Sequence, residues 1–402
     1  RPNDQYSYTR YDALGRIIET GQLESSEDMT FAIAMDNADL LDWIDSGTPK
    51  TEVAQTYYDN AALPVDIHFV KGEQSRLRNR IASVTWELTY DGDSLTYDYA
   101  SHYSYDIAGN VHSLVQELGG LRGTGNDFKR IDYEYDLISG KVNQVLYQPD
   151  SADQYFHEYL YDKDNRLATV LTSRDGYLWD YDANYLYYMH GPLRRTEIGE
   201  RQVQGMDYAY TLQGWLKGMN SEGRDKDKDM GLDGKSSGSH KWFGRDAATF
   251  VLSYFNADYR PIGSARFTAT FSPTAGFGAS SPSLYNGNIR KATYSIENLT
   301  EQVIGYAYQY DQLNRLIGMD AWLNFSAGSY NWPGSGSASN KYKERVTYDA
   351  NGNILTYIRH GGSPAPMDSL TYAYYANTNQ LKRVDDISSS YTEDIDDQSG
   401  DN

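Results

Sequence analysis

Tyr103-Ser104-Tyr105-Asp106-Ile107-Ala108-Gly109-Asn110-Val111 is the stretch whose reading decides the fold. Tyr103 and Tyr105 are two apart, so on a pleated strand both rings leave the same face. Asp106 and Gly109 stand first and fourth in a four-residue turn. A carboxylate in the first position accepts bonds from backbone N–H groups just ahead of it. Glycine in the fourth accepts the positive φ that a hairpin closed by a G1 bulge requires. From Val111 the chain runs back antiparallel, so the unit is a β-hairpin led in by aromatic residues.

The unit recurs. Tyr6, Tyr8 and Tyr11-Asp12-Ala-Leu-Gly15-Arg16-Ile17 form one copy, and Tyr133, Tyr135-Asp136-Leu-Ile-Ser-Gly140-Lys141-Val142 another with its glycine one place late. Tyr159, Tyr161-Asp162-Lys-Asp-Asn165-Arg166-Leu167 and Tyr308, Tyr310-Asp311-Gln-Leu-Asn314-Arg315-Leu316 place asparagine where glycine stood. Asparagine tolerates the left-handed region better than most residues. Tyr348-Asp349-Ala-Asn-Gly352-Asn353-Ile354 is equally clear. Copies without the aspartate run from Tyr185 and Tyr187 to Leu193, from Tyr208 and Tyr210 to Leu216, and from Tyr372 and Tyr374 to Leu381. The steps Tyr135 to Tyr161, Tyr161 to Tyr187 and Tyr348 to Tyr374 are each 26 residues. A fixed period of that size marks a repeat architecture rather than a compact enzyme fold.

Because each hairpin can bury its apolar face only against neighbours, the 402 residues read as one continuous β array rather than two or three domains. Tyrosine (38) outnumbers phenylalanine (11) more than threefold, which suits sheet faces that are neither dry nor fully exposed. Acidic residues exceed basic ones by 56 to 36, a net charge of −20 that disfavours nucleic acid and anionic lipid as partners. There is no cysteine, so disulfides and thiolate chemistry are excluded. No apolar run approaches the roughly 20 residues of a membrane-spanning helix. With the pattern already under way at Tyr6, the chain reads as an internal piece of a longer protein.

Residues 1–387 are therefore assigned to the repeat array, with insertions at about 22–56, 219–247 and 326–341, and 388–402 to an acidic disordered tail. Within the first insertion, Ala38, Leu41, Trp43 and Ile44 fall near helical spacing before Gly47 and Pro49, which predicts a short helix between Phe31 and Ser46. Strands are expected at Ile81–Tyr90, around Ala248–Phe255, at Ser264–Phe271 and at Ala292–Ile296, with a turn at Tyr285-Asn-Gly287-Asn288-Ile289. Met219–Lys241 reads as a polar surface loop, and Ser326–Asn340 as a Gly/Ser-rich loop around Trp332.

Candidate chemistry is sparse. Asp225, Asp227, Asp229 and Asp233 mimic positions 1, 3, 5 and 9 of a calcium loop, but Gly231 is one place late and Ser236 stands where a bidentate glutamate belongs. A solvated acidic loop is the preferred reading, and no metal is assigned. Gly234-Lys-Ser236-Ser-Gly238 matches a nucleophile elbow by letters only, without the strand and helix such a turn needs. The histidines (68, 102, 112, 157, 190, 240 and 360) are scattered singly; His102 and His112 are placed to meet across one hairpin as a surface pair. The aspartates at 12, 59, 106, 136, 162, 311 and 349 are assigned to turn capping rather than catalysis, and Arg16, Lys141, Arg166 and Arg315 to pairing with them or stacking on tyrosine. No catalytic residue and no cofactor is assigned.

The pattern Tyr-Asp-x-x-Gly-[Arg/Asn]-[Ile/Leu/Val], preceded by Tyr-x-Tyr, closely resembles the YD repeats of the RHS family. That family includes Rhs polymorphic toxins, Tc-toxin C subunits, WapA-type wall proteins and teneurins. Tyr11–Ile17, Tyr105–Val111, Tyr161–Leu167, Tyr310–Leu316 and Tyr348–Ile354 carry the resemblance, which extends from Tyr6 to about Val384. The insert Asp229-Met-Gly-Leu-Asp-Gly234 and Asn286-Gly-Asn-Ile289 look similar to bacteroidete members.

What the resemblance implies is an all-β fold of repeated hairpins in a long antiparallel sheet, spiralling into a hollow shell. Winding hides the strand edges that an open array would expose. In toxin members the shell encloses a C-terminal effector. The expected function is a non-catalytic shell of an exported bacterial protein, located outside the cell or at its surface after a type IX or similar route. Its partners would be its own effector, the plug segments and secretion machinery. The alternative is a display or adhesion module binding glycans or a protein. Toxin members close their repeats with a plug carrying an autoproteolytic aspartyl site; Asp394–Asn402 does not match it, so no catalytic residue carries over.

Overall fold

The computed structural model describes residues 5–25, 27–61, 63, 68–69, 73–90, 92, 96–261, 281–300, 302–332 and 338–386. The strand expected at Ser264–Phe271 and the tail at 388–402 lie outside them. Two compact units are present, Arg1–Tyr181 and Asp182–Asn402.

The first unit contains β1 (Gln5–Tyr11), β2 (Ile17–Glu24), β3 (Lys50–Tyr58), β4 (Ile81–Tyr90), β5 (Tyr99–Tyr105), β6 (Val111–Leu118), β7 (Phe128–Tyr135), β8 (Val142–Tyr147), β9 (Tyr155–Tyr161) and β10 (Leu167–Ser173). Each pairs antiparallel with the next. At the boundary begins β11 (Asp180–Tyr187), followed by β12 (Leu193–Ile198), β13 (Gln204–Tyr210), β14 (Leu216–Met219), β15 (Ala248–Ser253) and β16 (Lys291–Ile296). The second unit continues through β17 (Ile304–Tyr310), β18 (Leu316–Trp322), β19 (Ser339–Tyr348), β20 (Ile354–His360), β21 (Pro366–Tyr374) and β22 (Leu381–Asp386). From β11 onward the strands again pair antiparallel in chain order. The fold is all-β, as the hairpin reading requires.

The repeat turn has one geometry. In the hairpin that opened the sequence reading, Ser104 faces Ser113 but Tyr105 faces Val111, so the register slips at the bulge. Gly109 there has φ +98, and Asn165 and Asn314 take φ +62 and +63 in its place. Asp106 Oδ1 accepts from the backbone N–H of Gly109 (2.7 Å) and Asn110 (2.8 Å), while Oδ2 accepts from Asn110 Nδ2 (3.0 Å). Where arginine follows the turn it replaces that amide: Arg16 Nε reaches Asp12 at 2.7 Å, and Arg315 Nε reaches Asp311 at 2.6 Å.

A second regularity ties hairpin to hairpin. In several hairpins of each unit the tyrosine before the turn donates its hydroxyl to a backbone carbonyl at or just before the start of the previous hairpin's return strand. In the first unit Tyr58 reaches Ile17 (3.0 Å), Tyr105 reaches Ile81 (2.8 Å), Tyr135 reaches Val111 (2.8 Å) and Tyr161 reaches Val142 (2.7 Å). In the second, Tyr310 reaches Ile289 (2.9 Å), Tyr348 reaches Leu316 (2.9 Å) and Tyr374 reaches Ile354 (2.8 Å). The cation after one turn lies over the ring of the next such tyrosine: Arg16 over Tyr58 at 4.2 Å, and Arg315 over Tyr348 at 4.6 Å. Each ring therefore packs with its body and bonds with its tip.

The predicted helix is present as two, α1 (Phe31–Met35) and α2 (Asn37–Ser46), broken at Asp36, whose side chain caps the second through Ala38 and Asp39 N–H. Trp43 and Ile44 on α2 pack with Tyr8 and Leu23, closing the apolar face of β1 and β2.

The stretch expected to be a surface loop behaves differently. Between β14 and β15, Asn220, Ser221, Glu222, Asp229, Asp233 and Asp246 are all buried. The Gly/Ser-rich segment between β18 and β19 reaches the same place: Trp332 is 1% exposed and its Nε1 donates to Glu222 Oε1 at 2.8 Å. Tyr330 Oη accepts from the Glu222 and Gly223 N–H groups, both at 3.1 Å. Polar composition signalled water here, but many of these polar groups are buried and bond one another inside the unit instead.

Candidate functional site

The densest group of ionisable side chains among the described residues is built on β12 and β13. Their register sets Arg195 opposite Asp207. The Arg195 guanidinium, 1% exposed, bonds Asp207 through Nη1, Glu197 through Nε (2.9 Å) and both oxygens of Asp233 through Nη2 (3.0 Å each). Its flat face lies 4.6 Å over the buried ring of Phe243. Two glycines make this possible. A Cβ at Gly205 would overlap Arg195 and Asp233, and one at Gly231 would overlap Asp207 and Arg195. Gly231, one place late for a calcium loop, stands where the guanidinium needs bare backbone.

The insert supplies the remaining carboxylates. Asp229 Oδ2 accepts the Asp233 N–H at 3.0 Å, while Asp229 Oδ1 is buried and receives no hydrogen bond. Asp246, also buried, takes Gln204 Nε2 at 3.2 Å and faces Asp229. Carboxylate oxygens of Asp207, Asp229 and Asp233 lie within 4.8 Å of one another. Asp207, Asp233 and Glu197 bond the one guanidinium and Asp229 and Asp246 lie beside them, so the cluster holds more carboxyl groups than Arg195 can neutralise.

The electrostatics follow. Burial pushes the Asp207 carboxyl up to about 6, with Arg195 opposing and Asp229 assisting the rise. Burial and the neighbouring Asp229 push Asp246 up to about 9. Burial also raises Asp233, against the pull of Arg195. A cavity of about 690 Å³ opens beside the cluster, lined by Tyr188, Arg194, Arg195, Asp207, Gly231 and His240 among others. The arrangement can hold a proton between carboxyls or coordinate a cation; it offers no nucleophile poised on a base.

The residues singled out in the sequence are distributed otherwise. The aspartates at 12, 106, 136, 162, 311 and 349 cap their own turns, while Asp59 accepts the Asn79 N–H at 2.5 Å and shares the Arg16 guanidinium with Asp12, both at 2.7 Å. Asp227 is exposed and pairs with Lys235 at 2.9 Å, and Asp225 Oδ1 accepts the Asp227 N–H at 2.9 Å, so the first half of the calcium-like spacing stays outside the cluster. Asp229 and Asp233 do converge, but with Asp207 and Asp246, which the spacing did not include. His102 is not part of a surface pair: it is 0% exposed, faces Val115 across the hairpin and shares a 2.8 Å bond with Ser83. Its Nε2 lies 3.8 Å from Glu117. This resembles a triad in content, yet Ser83 is itself 0% exposed, and burial drives His102 down to about 4. A buried serine cannot meet a substrate, so the group is structural.

No helix among the described residues is long and apolar enough to cross a membrane. No family model matches the chain, and no curated protein matches it. Among solved structures the chain is similar to the crystal structure of TcdB2-TccC3-Cdc42, at 13% identity and a TM-score of 0.50 over 94% of its length. It is likewise similar to that of TcdB2-TccC3, at 14% identity and a TM-score of 0.51 over 94%. It spans 15% of the length of those chains. At such identity the likeness concerns the fold alone: the described residues form an all-β antiparallel hairpin array similar in fold to the RHS-containing Tc-toxin structures.

Proposed function

We propose that this chain is a non-catalytic segment of an RHS-type shell from an exported bacterial protein, and that the shell encapsulates and delivers a C-terminal effector domain outside these residues. The observation that carries the reading is the tyrosine staple, which bonds successive hairpins within each unit, from Tyr58 to Tyr161 in the first and from Tyr310 to Tyr374 in the second. Stapling successive repeats stiffens each unit, which suits a container wall better than a mobile binding loop. The hairpin aspartates are committed to their own backbones, and the buried cluster presents no nucleophile, so chemistry would reside in the cargo.

Limited proteolysis with intact-mass analysis of the full natural polypeptide tests this. Encapsulation predicts that the repeats resist cleavage and that a C-terminal fragment stays protected until the shell is denatured. Immediate digestion of that region in the native protein would contradict it and favour a surface-display role, with glycans or a cell-surface protein as partner.

A further inference from the structure

Asp229 poses a problem that the hairpin architecture does not solve. It is 1% exposed, and its buried Oδ1 receives no hydrogen bond from any N–H or hydroxyl group among the described residues, leaving the Asp246 carboxyl as the one proton source beside Asp229. Asp207, Asp233 and Asp246 surround it, while Arg195 spends its donors on Asp207, Asp233 and Glu197. An uncompensated buried carboxylate is costly, and a second positive group is the direct remedy. No lysine or arginine is recorded within bonding range of Asp229 Oδ1.

The ligand set and its spacing favour an ion. All the available donors are carboxylate oxygens, which suit a hard cation rather than zinc or copper. The oxygens of Asp207, Asp229 and Asp233 lie within 4.8 Å of one another, close enough to share one cation, and a cage of protein carboxylates suits calcium better than magnesium, which keeps most of its waters. Asp207 also lines the adjoining 690 Å³ cavity, which provides an approach from solvent and room for water ligands.

We propose that Asp207, Asp229 and Asp233, supported by Asp246, form a calcium-class cation site that ties the β14–β15 insert to β12 and β13. Arg195 orients Asp207 and Asp233 within it and cancels part of their charge. The ion brings the insert and the strands together across about 40 residues of sequence, from Asp207 to Asp246.

The test is equilibrium dialysis of radioactive calcium against the metal-stripped 402-residue chain, paired with hydrogen exchange in calcium and in chelator. The expected result is one saturable ion per chain with a dissociation constant of about 1 mM or tighter. Binding should weaken about tenfold or more in Asp229→Asn and stay unchanged in Asp227→Asn, whose carboxylate is exposed on the same insert. Calcium should slow exchange in the segment containing Asp229 to Asp246 and leave the hairpin turns unaffected. The wild-type dialysis and exchange decide the matter even where Asp229→Asn fails to fold. Absence of saturable binding, protection elsewhere in the chain, or loss of binding in Asp227→Asn alone would overturn the site and leave a proton between Asp229 and Asp246 as the compensation.

Discussion

A repeat turn and the β14–β15 insert both place aspartates a few residues apart, and the two surroundings push them in opposite directions. At a hairpin tip the carboxylate is wet and already bonded by its own backbone. The Arg16 and Leu14 N–H groups and the Arg16 guanidinium hold Asp12 below the usual carboxylate range, and the Asn353 amide and N–H do the same for Asp349. In the insert the carboxylates are dry and crowd one another, and burial raises Asp207, Asp233 and Asp246. The lesson is that most turn carboxylates are satisfied within their own hairpin. The buried carboxylates of the insert also need distant residues, with Arg195 on Asp233 and Gln204 on Asp246.

That contrast sets the order of expected effects. Arg195→Met should be the most damaging, because it leaves Asp207 and Asp233 buried without their cation; a loss of about 3–5 kcal/mol is expected in urea unfolding. A loss below about 1 kcal/mol would mean the cluster is not held by charge, since that is the scale of an exposed pair. Gly352→Ala, at φ +93 with only ordinary contact to Arg315, should cost about 1–2 kcal/mol through backbone strain alone. Tyr348→Phe, which removes one staple to Leu316 and keeps the ring under Arg315, should cost about 1 kcal/mol. A local effect seen as faster amide exchange in β17–β20, with the β14–β15 insert unchanged, would sharpen the comparison.

Acidity separates the two regions most finely. The hairpin carboxylates have folded pKa values below their unfolded ones, so their stabilisation is present above the ordinary value of 3.8 and fades as pH falls through it. Asp246, raised to about 9, works the other way: its contribution is complete below about pH 4 and is lost as pH rises toward 9. In chelator, urea midpoints measured from pH 5 to pH 9 should fall for the insert, followed through exchange at Asp246, while the hairpins hold. A hairpin midpoint that falls over the same interval would break the distinction.

The difference also explains what the sequence could disclose. Asp106 and Gly109 are three residues apart and answer each other, so the turn, its bulge and its left-handed glycine were readable from nine letters. The staples were not, because the acceptor is a carbonyl of the preceding hairpin: Tyr348 and Leu316 are 32 residues apart, and backbone carries no letter. The constant place of tyrosine before each turn was the available signal. The carboxylate cluster was least legible. Its members span Arg195 to Asp246, and the polarity that buries them against one another reads locally as affinity for water. Gly205 and Gly231, both needed by the guanidinium, and Trp332 in an otherwise small-residue loop were the residues out of character with a solvated segment.

The central claim is that stapled hairpins form the wall of a container, and cryo-electron microscopy of the full natural polypeptide tests it most directly. The account predicts a closed β-shell, with these residues as consecutive strands of its wall and additional weaker density inside. An open strip, or a shell with no internal density in a polypeptide whose C-terminal domain is intact, would contradict it.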